Sequence, residues 1–263
     1  MSLVFAAITP HPPLLIPAIG KDEIQKVEKT KSALMALEKN LYIRKPSTII
    51  IISPHSGLFS DAFVVNGHNH FTSSFDTFGD FSTIKEWKGA PALGAQISHH
   101  ARLKGVPVRL ISQEKIDHGA SIPLFYLTEH LPNVKILPIG YSEMSPKEHL
   151  AFGEVLKDVT MSTHERIALV ASGDMAHTLA TDSPAGFHKA GADFDSKIIE
   201  LLETRNTAGI VGLDEGMVRD AEQCSYRSIL IALGVLKNMN YTFKNLCYEA
   251  PFGVGYLTGE FVV

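Results

Sequence analysis

Two kinds of segment alternate along the chain. Short aliphatic and β-branched runs recur at residues 4–9, 47–53, 106–112, 134–140 and 167–172. The run STIIIIS at 47–53 has no polar face, the pattern of a strand covered on both sides. Between such runs lie longer segments with a helical period. In 21–41, charges fall on one side and Ile24, Val27, Leu34, Leu37 and Leu41 on the other. Helices are also predicted over 91–104, 145–159, 190–205 and 217–237. The third of these five opens on Ser145-Pro146-Lys147-Glu148, which supplies a cap, a preset first turn and a reciprocal Glu. Residues 62–66 read as a short strand, and 246–263 as β-rich, punctuated by Gly253, Gly255 and Gly259. Residues 71–88 show no period; four Phe and the only Trp lie among polar residues, which predicts a long ordered loop able to cover a site. Alternating strands and helices predict an α/β fold. One domain over 1–263 is expected, with a mostly parallel or mixed central sheet and helices on both faces.

Composition agrees with a packed domain. The chain has 263 residues, 45% apolar and 20% charged, enough for a substantial core. A net charge of −4 argues against nucleic-acid binding through bulk charge. Two Cys make no disulfide framework, so a reducing cytoplasm is the expected compartment. The apolar start is broken by Pro10, Pro12, Pro13 and Pro17 and has no basic segment before it. It is expected to be part of the fold, not a signal peptide. No apolar stretch approaches the roughly 18 residues of a membrane span.

Ligands of open α/β sheets bind beyond the carboxyl ends of strands. His11 follows the first strand in Thr9-Pro10-His11-Pro12-Pro13, and His55 follows the second in Ser53-Pro54-His55-Ser56-Gly57. His118 lies in Asp117-His118-Gly119, His177 in Gly173-Asp174-Met175-Ala176-His177, and Glu249 precedes Ala250-Pro251. Pro or Gly lies close to each. The spacing points to a metal or an acid–base site but fits no local metal motif. Other histidines compete. His68 and His70 share a face of an extended chain, and His99-His100 lies near a helix end. His130, His149, His164 and His188 read as structural. Cys247 reads as a small packed hydrophobe; facing a metal, it would favour zinc.

ITPHPPLLIPAIG, IIIISPHSG, DHGASIPLFYL, ASGDMAH and YEAPFGVGY occur in this order between residues 8 and 256. Together they resemble the class III extradiol ring-cleavage dioxygenases of the catalytic B-subunit type. That is the protocatechuate 4,5-dioxygenase and 2-aminophenol 1,6-dioxygenase beta-subunit group, to which the Memo-type proteins are related. The resemblance implies His11, His55 and Glu249 as metal ligands, His177 as catalytic base and His118 as a second histidine touching substrate or dioxygen. Two features depart from the pattern. A segment usually reading Glu-Cys-Gly here reads Glu222-Gln223-Cys224-Ser225, and Ala250 replaces a Gly beside Glu249.

Two histidines and one carboxylate would form the facial triad of non-haem Fe(II) oxygenases, leaving positions for an aromatic diol and dioxygen. The implied activity is extradiol cleavage of a catechol or 2-aminophenol ring, in aromatic-compound breakdown. His177 would take a hydroxyl proton and later return it; Asp174 would either orient His177 or cap a helix. Zn(II) is the alternative metal. A zinc hydrolase and a Memo-like binding protein are the alternative functions. The implied partners are a small aromatic substrate and dioxygen, and either a second copy or a small subunit over the pocket. No basic residue lies inside a motif, but Lys115 and Arg227 lie nearby.

Overall fold

The aliphatic runs form the middle of one mixed sheet in a computed structural model of the chain, which describes residues 2–263. The strands are β1 (Leu3–Thr9), β2 (Thr48–Ser53), β3 (Phe63–Asn66), β4 (His70–Ser73), β5 (Glu86–Gly89), β6 (Val108–Ile111), β7 (Lys115–Ile116), β8 (Lys135–Gly140), β9 (Ile167–Ser172), β10 (Thr242–Glu249) and β11 (Tyr256–Val262). The helices are α1 (Pro17–Gly20), α2 (Glu28–Arg44), α3 (Pro91–Leu103), α4 (His118–Leu127), α5 (Pro146–Ser162), α6 (Lys189–Glu203), α7 (Thr207–Val211), α8 (Glu215–Asp220) and α9 (Tyr226–Val235). The sheet order is β10-β11-β1-β9-β2-β8-β5-β4-β7, and β3 joins β6 to β8. The four central strands β1, β9, β2 and β8 are parallel. Antiparallel pairs lie toward the two margins.

Both faces of the centre are covered, as the all-apolar strands require. Ile50 and Ile52 join Leu137, Ile139, Leu169 and Ala171 under α3, α5 and α9. Ile49 and Ile51 join Ile136, Ala168 and Val170 under α2 and α4. Register brings the strand ends level: Thr9 pairs with Ser172, Ile52 with Ala171, and Ser53 with Gly140. The segments that follow β1, β9, β2 and β8 therefore leave one edge together.

Two expectations change, and one helix is added. Residues 71–88 are not one loop: β4 and β5 pair antiparallel, with Phe71 opposite Trp87. Phe71, Phe75 and Trp87 are buried, so the aromatic cluster is core, and the missing period reflects two short strands joined by a turn. The helix expected over 217–237 is two helices, α8 and α9, separated at 221–225. Glu222 has φ +51 there, a left-handed conformation that ends the first helix. Helix α4 carries no period because its residues are apolar nearly all round, with Pro123 inside. The Asp117 carboxylate caps it by accepting from Ala120 N.

Candidate metal centre at the carboxyl edge of the sheet

His11 and His55 each lie two residues beyond a central strand, and His118 opens α4. One ring nitrogen from each falls within 4.8 Å of the others. His11 Nε2 is 3.3 Å from His55 Nε2, and the His55 and His118 rings stack with centroids 4.3 Å apart.

The tautomer of His11 follows from its neighbours. Ser172 Oγ donates its only hydrogen to Gly119 O at 2.6 Å. It can therefore only accept from His11 Nδ1, 2.9 Å away. The proton sits on Nδ1, and the Nε2 lone pair faces the group. An outer hydrogen bond of this kind fixes metal-ligating histidines. Burial, then the charge of His55, lowers the His11 pKa to about 3. Burial, then the charges of His11 and His55, lowers His118 to about 4. Both rings are neutral at neutral pH, with lone pairs free.

Asp117 holds the other two histidines. Its carboxylate accepts from Ser53 Oγ at 2.5 Å and Ser56 Oγ at 2.6 Å, which fixes the loop carrying His55. The same group caps the helix that begins at His118. Gly119 permits this closeness: a Cβ there would lie 2.5 Å from Ser53 Oγ and 3.0 Å from His55 Cδ2. Asp174 neither caps a helix nor bonds the His177 ring; its Oδ1 accepts from His11 N at 2.8 Å and anchors that backbone. Burial raises its pKa to about 6.

Cys224 was not expected at the site. Its Sγ lies 3.7 Å from His11 Nε2 and accepts from Asp174 N at 3.1 Å. The sequence hides it inside an apparently continuous helix; only the break at 221–225 turns it to the sheet edge. Gly173 makes room, since a Cβ there would lie 2.3 Å from Ser225 Cα. Ligands at tetrahedral angles around one ion stand about 3.4 Å apart for two imidazole nitrogens and about 3.6 Å for a nitrogen and a thiolate sulfur. The distances here, 3.3 and 3.7 Å, suit that arrangement.

His177 stands beside the group: His55 acts on its charge, and it acts on that of His11. Its Nε2 is buried without a hydrogen-bond partner in the structure. Burial, more than any neighbour, lowers its pKa, against Asp174 and Glu222, which raise it. The structure does not bring Glu249 to the histidines. Its Oε1 accepts from Thr30 N at 2.8 Å and Thr30 Oγ1 at 2.6 Å, tying β10 to the first turn of α2. Strand β10 lies two places from β1, a lateral offset of about 10 Å.

Most of the remaining histidines have partners away from the site. His68 Nδ1 meets the His70 backbone, and His130 pairs with Glu38 at 3.0 Å. His149 bonds the Ser145 and Ser142 carbonyls, and His188 caps α6. Cys247 is half-buried. The 71–88 segment does reach the site, through Phe78 edge-on to His118 at 5.1 Å. A cavity of about 340 Å³ opens on His55 and His118 beneath Ser74, Thr77 and Lys115.

Fold and site define a parallel-centred α/β protein whose strand-end histidines can hold a metal ion. Residues 5–259 match the family described as the catalytic LigB subunit of aromatic ring-opening dioxygenase. The chain belongs to that family. It is 30% identical, over 97% of its length, to Protein CA_C1420 of Clostridium acetobutylicum, and the match spans 57% of that longer protein. It is 22% identical to the 4,5-DOPA dioxygenase extradiol of Mirabilis jalapa, over 68% of this chain and 67% of that one. The crystal structure of the uncharacterized protein JW3007 of Escherichia coli K12 shares the fold, with a TM-score of 0.70 at 18% identity over 98% of this chain and 99% of that one. Among the described residues, no helix is long and apolar enough to cross a membrane.

Proposed function

We propose that the protein is an Fe(II)-dependent extradiol dioxygenase that opens a catechol or 2-aminophenol ring. The observation that carries this reading is the convergence of imidazole nitrogens from His11, His55 and His118 beside an unpartnered His177 Nε2. His11 and His55 hold the ion, with His118 as a third nitrogen donor and Cys224 within reach as a sulfur donor. Glu249, the carboxylate ligand implied by resemblance, would have to leave Thr30 to join them. A bound ferrous ion supplies Lewis acidity and the one-electron chemistry dioxygen needs.

The chain's own residues do the rest. His177 is neutral because burial disfavours its charged form, so its Nε2 can accept a ring hydroxyl proton and later return it. Ser172 and Asp117 hold the ligand rings in fixed orientation before substrate arrives. Phe78 packs edge-on against His118, whose ring stacks on His55, and so fixes the face these rings present to the cavity.

Oxygen uptake by protein reconstituted anaerobically with Fe(II), across catechol, 3,4-dihydroxybenzoate and 2-aminophenol, tests the reading. Uptake with a ring-opened chromophore is expected. His177→Ala should lose about 10²–10⁴-fold in turnover while keeping its iron. Unchanged turnover would remove His177 from the role of base. The Cys224 thiol favours a second reading, a zinc hydrolase, because sulfur donors suit zinc. Zinc-dependent hydrolysis, with no uptake from fully iron-loaded protein, would select it.

A further inference from the structure

A second, larger cavity of about 770 Å³ lies between the start of α5 and the α8–α9 pair. This is within the size range of sites for small organic molecules. None of His11, His55, His118 and His177 lines it, so it is distinct from the metal centre and from the smaller cavity on His55 and His118. Helices α5 and α9 both open on it with their first turns, whose partial positive charge favours an anion.

One cation in this cavity lacks a counter-charge. Arg227, in the first turn of α9, is half-buried and makes no ion pair among the described residues. Its guanidinium lies over the Tyr141 ring at 5.5 Å, and burial keeps that phenol protonated. His149, fully buried on the same wall, has its pKa lowered by burial, which favours the neutral ring. The buried groups facing the guanidinium therefore carry no negative charge. Glu143, Glu215 and Glu222 also line the cavity but are exposed, where water screens them. A half-buried guanidinium in such surroundings is a ready partner for a carboxylate, which it can bind through two parallel hydrogen bonds. The three glutamates disfavour a more highly charged group such as a phosphate. The rest of the lining is largely aliphatic. Met144, Val211, Leu213 and Val218 rest on the main core, stay partly exposed and face the cavity. The two lining tyrosines offer no free ring face: Tyr141 lies under the guanidinium, and buried Tyr226 donates to Ile210 O at 2.8 Å and meets Phe194 edge-on. Such a wall suits a flexible hydrocarbon chain better than a flat ring.

We propose that this cavity is a second ligand site, separate from the metal centre, that binds an aliphatic monocarboxylate with its carboxylate on Arg227 and its chain along Met144, Val211, Leu213 and Val218. The site needs neither a metal ion nor ring cleavage. Calorimetric titration of the full-length chain with octanoate and with octan-1-ol, which has the same chain and no charge, tests it. The wild type should bind one octanoate per chain, about tenfold more tightly than the alcohol or better. Hexanoate, two CH₂ groups shorter, should bind about tenfold more weakly than octanoate. Arg227→Gln should bring the octanoate-to-octanol ratio close to one, and Lys147→Gln, at an exposed lining position, should leave it in place. Should Arg227→Gln not fold, Arg227→Lys is read instead; it keeps the charge, loses the fork and should give an intermediate ratio. The same affinities are expected for the zinc-loaded chain and for the chain stripped by a chelator. A wild-type ratio near one, a ratio untouched by either Arg227 substitution, or equal affinity for hexanoate and octanoate overturns the proposal. Octanoate binding that requires the metal would place the carboxylate at the histidines and overturn it as well.

Discussion

One hydroxyl decides which nitrogen of His11 is offered to a metal. Ser172 has a single hydrogen, spends it on Gly119 O, and so must accept from Nδ1. Ser172→Ala removes that acceptor and leaves Gly119 O unpaired. The expected result is a metal affinity lower by about 10- to 100-fold in competition with a chelator, with the fold retained. Unchanged affinity would refute the tautomer assignment. Asp117 is the second such residue, since one carboxylate sets both the loop before His55 and the helix that starts at His118. Neither was legible as a supporting residue. Motif positions announced His11, His55, His118 and His177, because Pro or Gly beside a strand-end histidine marks a rigid turn, whereas a serine ending an apolar strand announces nothing.

At the scale of elements, the interruption between α8 and α9 matters most. A continuous helix over 217–237 would leave Cys224 on a helical face. The left-handed Glu222 ends α8 and brings residues 221–225 down onto Gly173. Two backbone bonds fasten the contact, His177 N to Ala221 O at 2.9 Å and Cys224 N to Asp174 O at 3.1 Å. Gly173→Ala should force the two segments apart. A stability loss of about 3 kcal/mol is expected, read as a lower denaturant midpoint at unchanged slope. Metal affinity should fall with it as Cys224 is displaced. The helical period of 217–237 concealed the break because most apolar positions on either side stay in phase. The β4–β5 pair escaped notice for a related reason: four-residue strands are too short to establish an alternation.

Across the whole molecule, buried Asp195 of α6 joins the segment bearing His177 to the sheet margin. Its carboxylate accepts from Ala176 N at 2.8 Å and from Tyr248 Oη, on β10, at 2.6 Å. Burial raises its pKa from 3.8 to about 6. A folded-state value above the unfolded one means the stabilising contribution is complete below pH 4 and is lost as pH rises through 6. Ionised Asp195 then costs the fold about 3 kcal/mol. Asp195→Asn keeps an acceptor for Ala176 N and does not titrate. Its stability relative to wild type should rise by about that amount between pH 4 and 7 in denaturant titrations. A difference independent of pH would contradict the assignment.

The sequence by itself determined the class of fold, because continuous β-branched runs need cover on both faces and the helices between them supply it. It also marked the loops that meet at the candidate site, since strand ends, proline and glycine are local signals. Which side chains stand together at the strand ends was decided by tertiary structure. Strand order places β10 two positions from β1 and commits Glu249 to Thr30, while a helix break brings Cys224 to His11. Lateral strand order and the direction of a chain after a break depend on contacts between residues far apart in sequence. No local pattern encodes them.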